Sequence, residues 1–168
     1  MAQFLLPPDE WSCGSSAASN AESLSMRGEP MFQKILVPVD LSETHQNTVR
    51  IAAQLAESTK GSGTLLHVVE TMYGLGLTEE REFYNRLERR ARAHLEKLRA
   101  TAQANANWRV EVLFGKPASE VMRFAADNAI DLIVLTSHRI NLENLGEGWG
   151  TLSYKIGILS QCPVLLVK

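Results

Sequence analysis

The fold is decided by one stretch of the chain, Asp131-Leu132-Ile133-Val134-Leu135-Thr136-Ser137-His138-Arg139. A continuous run of Val, Ile and Leu, without polar alternation, is typical of a strand that is covered on both faces. A polar loop with three glycines follows (Gly146, Gly148, Gly150), and a new helix is predicted to begin at Thr151. In α/β proteins, a buried strand that opens into a loop and a helix N-terminus commonly holds an anion. The stretch therefore predicts an α/β sheet with a candidate phosphate site at the end of this strand.

The rest of the chain alternates between strand and helix patterns around this segment. We predict the other strands over residues 35–39, 64–69, 108–114 and 163–167, and the helices over residues 42–58, 79–105, 117–128 and 151–159. The order βαβαβαβαβ is typical of a parallel sheet with right-handed crossovers. The fold class expected is therefore α/β, with a single doubly wound five-stranded parallel sheet and helices on both faces.

Two strands have the character of sheet edges. In residues 108–114 the apolar Val110 and Val112 alternate with the charged Arg109 and Glu111, which indicates one solvated face. The run Pro163-Val164-Leu165-Leu166-Val167 is expected at the margin of the sheet, yet it is strongly apolar. Because an exposed apolar edge invites pairing with another chain, a homodimer built on this strand is predicted.

Composition narrows the class of protein. The chain has 168 residues, 45% of them apolar, and a formal net charge of −2, which fits one domain and argues against a general nucleic-acid binder. There is no apolar run of about 18 residues, so no membrane-spanning helix is expected. Two cysteines make a disulfide framework improbable and favour a reducing, cytoplasmic location.

The N-terminal segment differs from the rest. Residues 12–25 are rich in Ser, Ala, Gly and Asn and have no apolar period, so they cannot bury enough surface to offset their ordering entropy. We expect residues 1–31 to form a disordered or loosely ordered leader and residues 32–168 to form the α/β domain. The alternative for the leader is a short docking motif around Phe4 and Trp11.

Several segments of the chain match one known pattern. They are Lys34-Ile35-Leu36-Val37-Pro38-Val39-Asp40-Leu41-Ser42-Glu43, Leu65-Leu66-His67-Val68-Val69, the turn Gly115-Lys116-Pro117-Ala118, the run from Asp131 to Arg139, and Cys162-Pro163-Val164-Leu165-Leu166-Val167. In this order and spacing they resemble the universal stress protein family, over about residues 32–168. The resemblance implies strand order 3-2-1-4-5, ATP binding in many members, and dimers formed through the fifth strands.

The resemblance also implies a set of site residues. Asp40 matches an acidic residue near the ribose or a Mg²⁺ ion, and Val68 matches the residue whose backbone meets adenine. The ATP-binding members carry glycine, two residues, glycine, nine residues, then glycine followed by Ser or Thr. Gly150 and Thr151 preserve the end of that pattern.

The first two glycines of that pattern are replaced here by Ser137 and Ile140. The hydroxyl of Ser137 can donate to a phosphate oxygen, and Arg139 offers a forked cation suited to phosphate. Ile140 opposes binding, because a β-branched residue at positive φ is an outlier and its side chain can fill the phosphate volume.

Two functions from different classes follow. The first is a small regulatory protein that binds an adenine nucleotide through Asp40, Val68, Ser137, Arg139, Gly150 and Thr151, with ATP, and Mg²⁺ beside it, as the expected cofactor. The second is a dimeric protein-interaction module in the stress response whose nucleotide site is lost. No base positioned for hydrolysis is evident, so at most a slow ATPase is expected.

The histidines show no metal-ligand spacing, so no zinc site is expected. His45 and His94 are predicted at the surface. His67 lies between apolar neighbours and is predicted to be a buried or half-buried residue with its hydrogen bonds satisfied.

Overall fold

The computed structural model describes residues 31–71, 77–102, 104, 107–137 and 151–168. The strands are β1 (Lys34–Pro38), β2 (Ser62–Val69), β3 (Trp108–Phe114), β4 (Leu132–Thr136) and β5 (Val164–Val167). The helices are α1 (Gln46–Thr59), α2 (Leu77–Thr101), α3 (Pro117–Asp127) and α4 (Leu152–Leu159), and a single 3-10 turn (Glu43–His45) precedes α1.

All five strands are parallel, in the order β3-β2-β1-β4-β5. The predicted fold class and strand order are confirmed. Strand β1 lies at the centre, and its residues Ile35, Leu36 and Val37 have no exposed surface. Because β1 is flanked by strands on both sides and by helices on both faces, its sequence is apolar throughout rather than alternating.

The alternation of side chains along β1 divides the core into two layers. Ile35 and Val37 pack with Val49 and Leu95 of α1 and α2 on one face. On the other face the apolar cluster contains Leu36, Leu66 of β2, Val121 of α3 and Ile156 of α4. The sheet is therefore covered by one helix pair on each side.

The clearest differences from the expected element boundaries are in α1, β2 and α2. Helix α1 begins at Gln46 rather than at Ser42, because the chain first makes the 3-10 turn. Strand β2 begins at Ser62, where the Ser62 N–H donates to the carbonyl of Gln33 at 2.8 Å and joins β2 to β1. Helix α2 ends at Thr101, short of the predicted residue 105.

The expected leader, residues 1–31, lies outside the described residues except for Met31. So do His138, Arg139 and Ile140 and the loop glycines through Gly150. Across the described ranges, no helix has both the length and the apolar composition needed to cross a membrane.

Candidate functional site

A cavity of about 360 Å³ lies at the carboxyl ends of β1, β2 and β4. Its lining runs from Val39 and Asp40 through Leu66, His67 and Val68 to Leu135 and Thr136, and is completed by α3 and the first turn of α4. This is the edge of a parallel sheet at which ligands bind, and the volume falls within the roughly 300–1,000 Å³ typical of small-molecule pockets.

Three of the six predicted site residues line this cavity together: Asp40, Val68 and Thr151. They come from the end of β1, from β2 and from the start of α4, so only the folded sheet brings them to one place. Ser137 lies one residue beyond β4, and its backbone N–H donates to the carbonyl of Val167 at 2.7 Å. Arg139 and Gly150 lie outside the described residues.

The carboxylate of Asp40 stands at the mouth of the cavity with 58% of its side chain exposed. Its Oδ1 accepts a hydrogen bond from the backbone N–H of Ser42 at 2.7 Å and lies 2.7 Å from Nε2 of His45. Partial burial is the largest influence on the pKa of this carboxyl and raises it. The hydrogen bonds from Ser42 and His45 outweigh burial and lower the pKa from 3.8 to about 2. Asp40 is therefore ionised at neutral pH.

His45 is the residue that sequence reasoning missed. It was predicted at the surface, and this prediction is wrong: only 5% of the residue is exposed. The 3-10 turn before α1 rotates His45 inward, where Nδ1 lies 2.7 Å from Oγ1 of Thr136. Thr136 Oγ1 in turn lies 2.7 Å from Oγ1 of Thr48. Four side chains thus form one hydrogen-bonded line, Thr48 to Thr136 to His45 to Asp40, beneath the cavity.

The direction of the His45 hydrogen bonds follows from their partners. An ionised carboxylate only accepts, so Nε2 carries a proton and donates to Asp40. The backbone nitrogen of Asp40 also lies 3.2 Å from Nε2, but the carboxylate oxygen at 2.7 Å is the stronger and closer partner. The hydroxyl of Thr136 can donate to Nδ1 or accept from it, so both ring nitrogens are satisfied.

His67 fixes the adjoining strand ends. Its Nδ1 donates to the carbonyl of Val39 at 2.9 Å, and the Val39 N–H donates to the carbonyl of Leu66 at 2.9 Å. The prediction of a half-buried, satisfied histidine is confirmed. These two bonds hold β2 beside the end of β1, so the backbone at Val68 has a defined position relative to Asp40.

Thr151 begins α4 at the opposite side of the cavity. Its backbone is extended, and its Oγ1 accepts from the N–H of Tyr154 at 3.4 Å, which is an N-cap arrangement. The first turn of α4 directs N–H groups and the positive end of its dipole toward this region. The cavity therefore has a carboxylate on one side and an electropositive helix end on the other.

Two other hollows are larger, but neither lies at the carboxyl edge of the sheet. One of about 450 Å³ surrounds Lys34 and Arg109 at the amino ends of the strands. One of about 670 Å³ lies between α3 and the segment after α4. We take the 360 Å³ cavity as the candidate site because its position, not its size, matches where parallel sheets bind ligands. In the described ranges, no group of three or more His, Cys, Asp or Glu side chains could hold a metal ion.

Comparison with known proteins gives a consistent result. The model of the Universal stress protein family matches residues 31–168. The chain is 29% identical over 151 residues to the universal stress protein YxiE of Bacillus subtilis, covering 82% of this chain and 100% of the relative. It is 28% identical over 151 residues to a universal stress protein of Methanocaldococcus jannaschii, covering 87% of this chain and 88% of the relative.

Solved structures share the fold. The universal stress protein UspA of Lactobacillus plantarum superposes with a TM-score of 0.68 at 22% identity, over 82% of this chain and 99% of that one. Another universal stress protein, solved in complex with cAMP, has a TM-score of 0.60 at 18% identity, over 81% and 97% of the two chains. A third, from Archaeoglobus fulgidus in complex with dAMP, has a TM-score of 0.58 at 16% identity, over 82% and 99%.

Proposed function

Because the chain belongs to the universal stress protein family, we propose that the cavity at the carboxyl ends of β1, β2 and β4 binds an adenine nucleotide, with ATP as the ligand. The observation that carries this proposal is the meeting of Asp40, Val68 and Thr151 around one cavity beside a helix N-terminus. Residues that are far apart in the chain present a hydrogen-bond acceptor, an apolar wall and an anion-attracting helix end in one place.

Each residue has a distinct role in this proposal. Asp40, ionised at neutral pH, would accept from the ribose hydroxyls or face a Mg²⁺ ion carried by the phosphates. Val68, half-buried on β2, would meet the adenine ring through its backbone. Val39 and Leu66 supply apolar surface near it, which suits a flat base that needs few polar contacts.

The phosphates would lie toward α4. Thr151 and the first turn of this helix supply N–H donors and a positive potential, and Ser137 follows the end of β4. The described part of the cavity lining contains no Lys or Arg. Arg139 and Gly150 lie outside the described residues; in this proposal they would complete the phosphate contacts, with Arg139 as the cation.

The structural neighbours solved with cAMP and dAMP support an adenine nucleotide as the ligand class. Both ligands pair adenine with a single phosphate, so the part of the site that they have in common with ATP is the base, the sugar and the first phosphate. The cavity of about 360 Å³ is of the size expected for that part, and the remaining phosphates would extend beyond it.

The test is a calorimetric titration of the purified chain with ATP, AMP and GTP, each with Mg²⁺ and with a chelator. We expect saturable one-site binding of ATP and AMP and at least about tenfold weaker binding of GTP, because one mispaired polar edge of the base costs about 1–3 kcal/mol. No heat and no change in thermal stability at millimolar adenine nucleotide would end the proposal.

The proposed role is binding in a regulatory protein of the cytoplasm, with hydrolysis at most slow. Among the described residues, His45 is a buried base in the cavity lining, but its Nε2 donates to Asp40 and its Nδ1 is paired with Thr136. Neither ring nitrogen is available to orient an attacking water. Incubation with radiolabelled ATP should therefore release phosphate more slowly than one turnover per minute, and faster release would contradict this assignment.

A second role, as an interaction module, is favoured by the exposed apolar edge of the sheet. Leu165 and Leu166 on β5 are 37% and 46% exposed, and Ile158 and Leu159 of the adjacent α4 are 61% and 60% exposed. We propose that a second copy of the chain covers this edge and pairs with β5. Sedimentation at micromolar protein tests it: a dimer is expected, and a monomer would contradict the pairing.

A further inference from the structure

We propose that the hollow of about 450 Å³ at the amino ends of the strands binds a phosphorylated sugar or polyol, with Arg109 and Lys34 on its phosphate. The hollow is lined by the first residues of β1, β2 and β3 and by the end of α3, at the opposite edge of the sheet from the candidate nucleotide cavity. The proposal is therefore independent of nucleotide binding. It is carried by an arginine that the fold holds in one orientation.

The guanidinium group of Arg109 is fixed by three residues. Its Nε donates to Oγ1 of Thr64 at 3.0 Å, and its Nη2 donates to Oδ1 of Asn128 at 2.9 Å. Its Cζ lies 5.6 Å from the ring centroid of Phe124, which is a cation–π contact. Thr64 is only 4% exposed, so the hydroxyl that orients Arg109 belongs to the core. An exposed arginine ordinarily samples several rotamers, whereas this one is preorganised for a ligand.

These contacts leave one edge of the guanidinium group for a ligand. Of the five N–H groups of an arginine, one on Nε and one on Nη2 are used, so two on Nη1 and one on Nη2 remain. Two parallel N–H groups on Nη1 and Nη2 match the spacing of two oxygens of a phosphate or carboxylate. Arg109 takes part in none of the ion pairs in the described part of the chain. Its remaining edge therefore suits an oxyanion.

Lys34 places a second cation beside the first. Its Nζ donates to the backbone carbonyl of Asn128 at 3.3 Å, so both cations contact the same residue. Lys34, too, is outside the ion pairs of the described residues. A phosphomonoester carries about 1.5–2 negative charges and three acceptor oxygens, whereas a carboxylate carries one charge. Two cations gathered at one residue therefore favour a phosphate over a carboxylate.

The rest of the lining suits hydroxyl groups. Ser62 and Asn107 supply a hydroxyl and an amide, and Asp127 supplies a carboxylate that can accept from sugar hydroxyls. Ile35 and Ile130, the large apolar side chains of the lining, are 0% and 8% exposed, so no apolar wall faces a base or an acyl chain. A hollow of about 450 Å³ has room for more than a bare phosphate and is within the range of small-molecule pockets.

Lys34 and Arg109 also stabilise the end of α3, because cations near a helix C-terminus interact favourably with its carbonyl groups. Ligand affinity, measured on variants that are folded, separates binding from this stabilising role. Arg109→Lys keeps the charge but loses the fork, and Arg109→Gln loses both. Arg92→Gln is the matched control: Arg92 lies on α2, on the other face of the sheet, and its Nη1 contacts the carbonyl of Val110 of β3.

The measurement is calorimetric titration of the full chain with glucose 6-phosphate, glucose and inorganic phosphate at constant ionic strength. We expect one molecule of glucose 6-phosphate to bind with a dissociation constant below about 1 mM, and glucose and phosphate to bind at least about tenfold more weakly. Arg109→Lys should raise the dissociation constant at least about fivefold, Arg109→Gln at least about tenfold, and Arg92→Gln less than about twofold. No saturable binding at about 10 mM glucose 6-phosphate, or equal losses in the Arg109 and Arg92 variants, would overturn the proposal.

Amide NMR spectra of the wild type locate the ligand even if the Arg109 variants do not fold. Glucose 6-phosphate should shift the amide resonances of Gly63 and Ala129, which line the hollow, and leave those of Asp40 and Val68 unchanged. Saturating AMP should change its affinity by less than about twofold. Shifts at the carboxyl edge of the sheet, or competition by AMP, would overturn the proposal. If AMP itself does not bind, the proposed nucleotide function fails and this one stands.

Discussion

Gly63 of β2 lies directly against the indole of Trp108, its partner in the register with β3. A Cβ atom at position 63 would stand 2.3 Å from ring atoms Cε2 and Cζ2 of Trp108, closer than any real contact. Trp108 is 2% exposed and has no room to withdraw. The glycine is therefore required by space, not by an unusual backbone conformation.

Gly63→Ala is expected to destabilise the protein by about 1–3 kcal/mol, since a methyl group forced into a filled core displaces the neighbouring side chain. The measurement is the free energy of unfolding from urea titration. Gly157→Ala is the matched control. A Cβ at position 157 of α4 meets nothing within 4 Å, so the same substitution should stabilise by about 0.5–1 kcal/mol. Equal effects would contradict the steric account.

The effect of Thr136→Val on stability tests the hydrogen-bonded line from Thr48 to Asp40. Removing this hydroxyl leaves Nδ1 of His45 and Oγ1 of Thr48 without the partner shown in the structure. The free energy of unfolding should therefore fall by about 1–3 kcal/mol. Thr101→Val is the control, because the Thr101 hydroxyl bonds the carbonyl of Lys97 on an exposed helix turn. We expect the control to change stability by less than about 0.5 kcal/mol. A loss at position 101 as large as that at 136 would refute the buried line.

The low pKa of Asp40 predicts a pH dependence of stability. The carboxyl has a pKa of about 2 in the folded chain against an ordinary value of 3.8, so the folded state favours the ionised form. Its contribution is present above about pH 4 and is lost as pH falls toward 2. The contribution is small because the side chain is more than half exposed.

The comparison is the slope of the unfolding free energy against pH in the wild type and in Asp40→Asn. The slope between pH 4 and 2 should be shallower in the variant, with no difference in slope above pH 5. Asp127→Asn, a carboxylate beside the hollow at the amino ends of the strands, serves as the control. A slope unaltered by Asp40→Asn would show that the carboxyl is not held ionised by Ser42 and His45.

Asp40→Asn should also weaken binding of ATP by about tenfold, because a neutral amide replaces a charged acceptor. Asp127→Asn removes the same charge at the opposite end of the sheet and should leave the affinity unchanged. The measurement is the dissociation constant by calorimetry. A similar loss in both variants would point to net charge rather than to the cavity.

The proposed dimer predicts an effect of charge at the exposed edge. Leu166→Lys on β5 should raise the dimer dissociation constant by at least tenfold, since a buried lysine at a strand pairing is costly to desolvate. Phe114→Lys on β3, at the other edge of the sheet, is the control with comparable exposure at 38%. Sedimentation velocity should show a monomer only for the first variant. If both variants were monomers, the dimer contact would not be specific to β5.

The sheet was predictable from the sequence because each strand carries a strong apolar signal. The run from Leu132 to Leu135 is apolar throughout and is buried, while Arg109 alternates with buried neighbours on an edge strand. Helix α1 was misplaced by four residues, since Ser42 is a good cap for either an α-helix or a 3-10 turn and the side chain alone does not choose.

In the candidate site, only the residues that the family resemblance implies were predictable from the sequence. Asp40, Val68 and Thr151 line the cavity as neighbours in space, but no periodicity in the chain relates them. His45 was missed because its direction depends on the 3-10 turn, which shifts the phase of every following helical position. Its polar partners Thr48 and Thr136 are in different elements, so local sequence gives no sign of the hydrogen bonds.

The central strand joins distant parts of the chain: the backbone N–H of Lys34 donates to the carboxylate of Asp131, 97 positions later, and β1 pairs directly with β4. A ribosome must therefore synthesise most of the polypeptide before the pocket exists. Nothing that occupies the pocket can guide the earliest steps of folding. Such a molecule acts on the finished protein alone, where mass action makes its concentration a determinant of how long each copy survives unfolding and proteolysis.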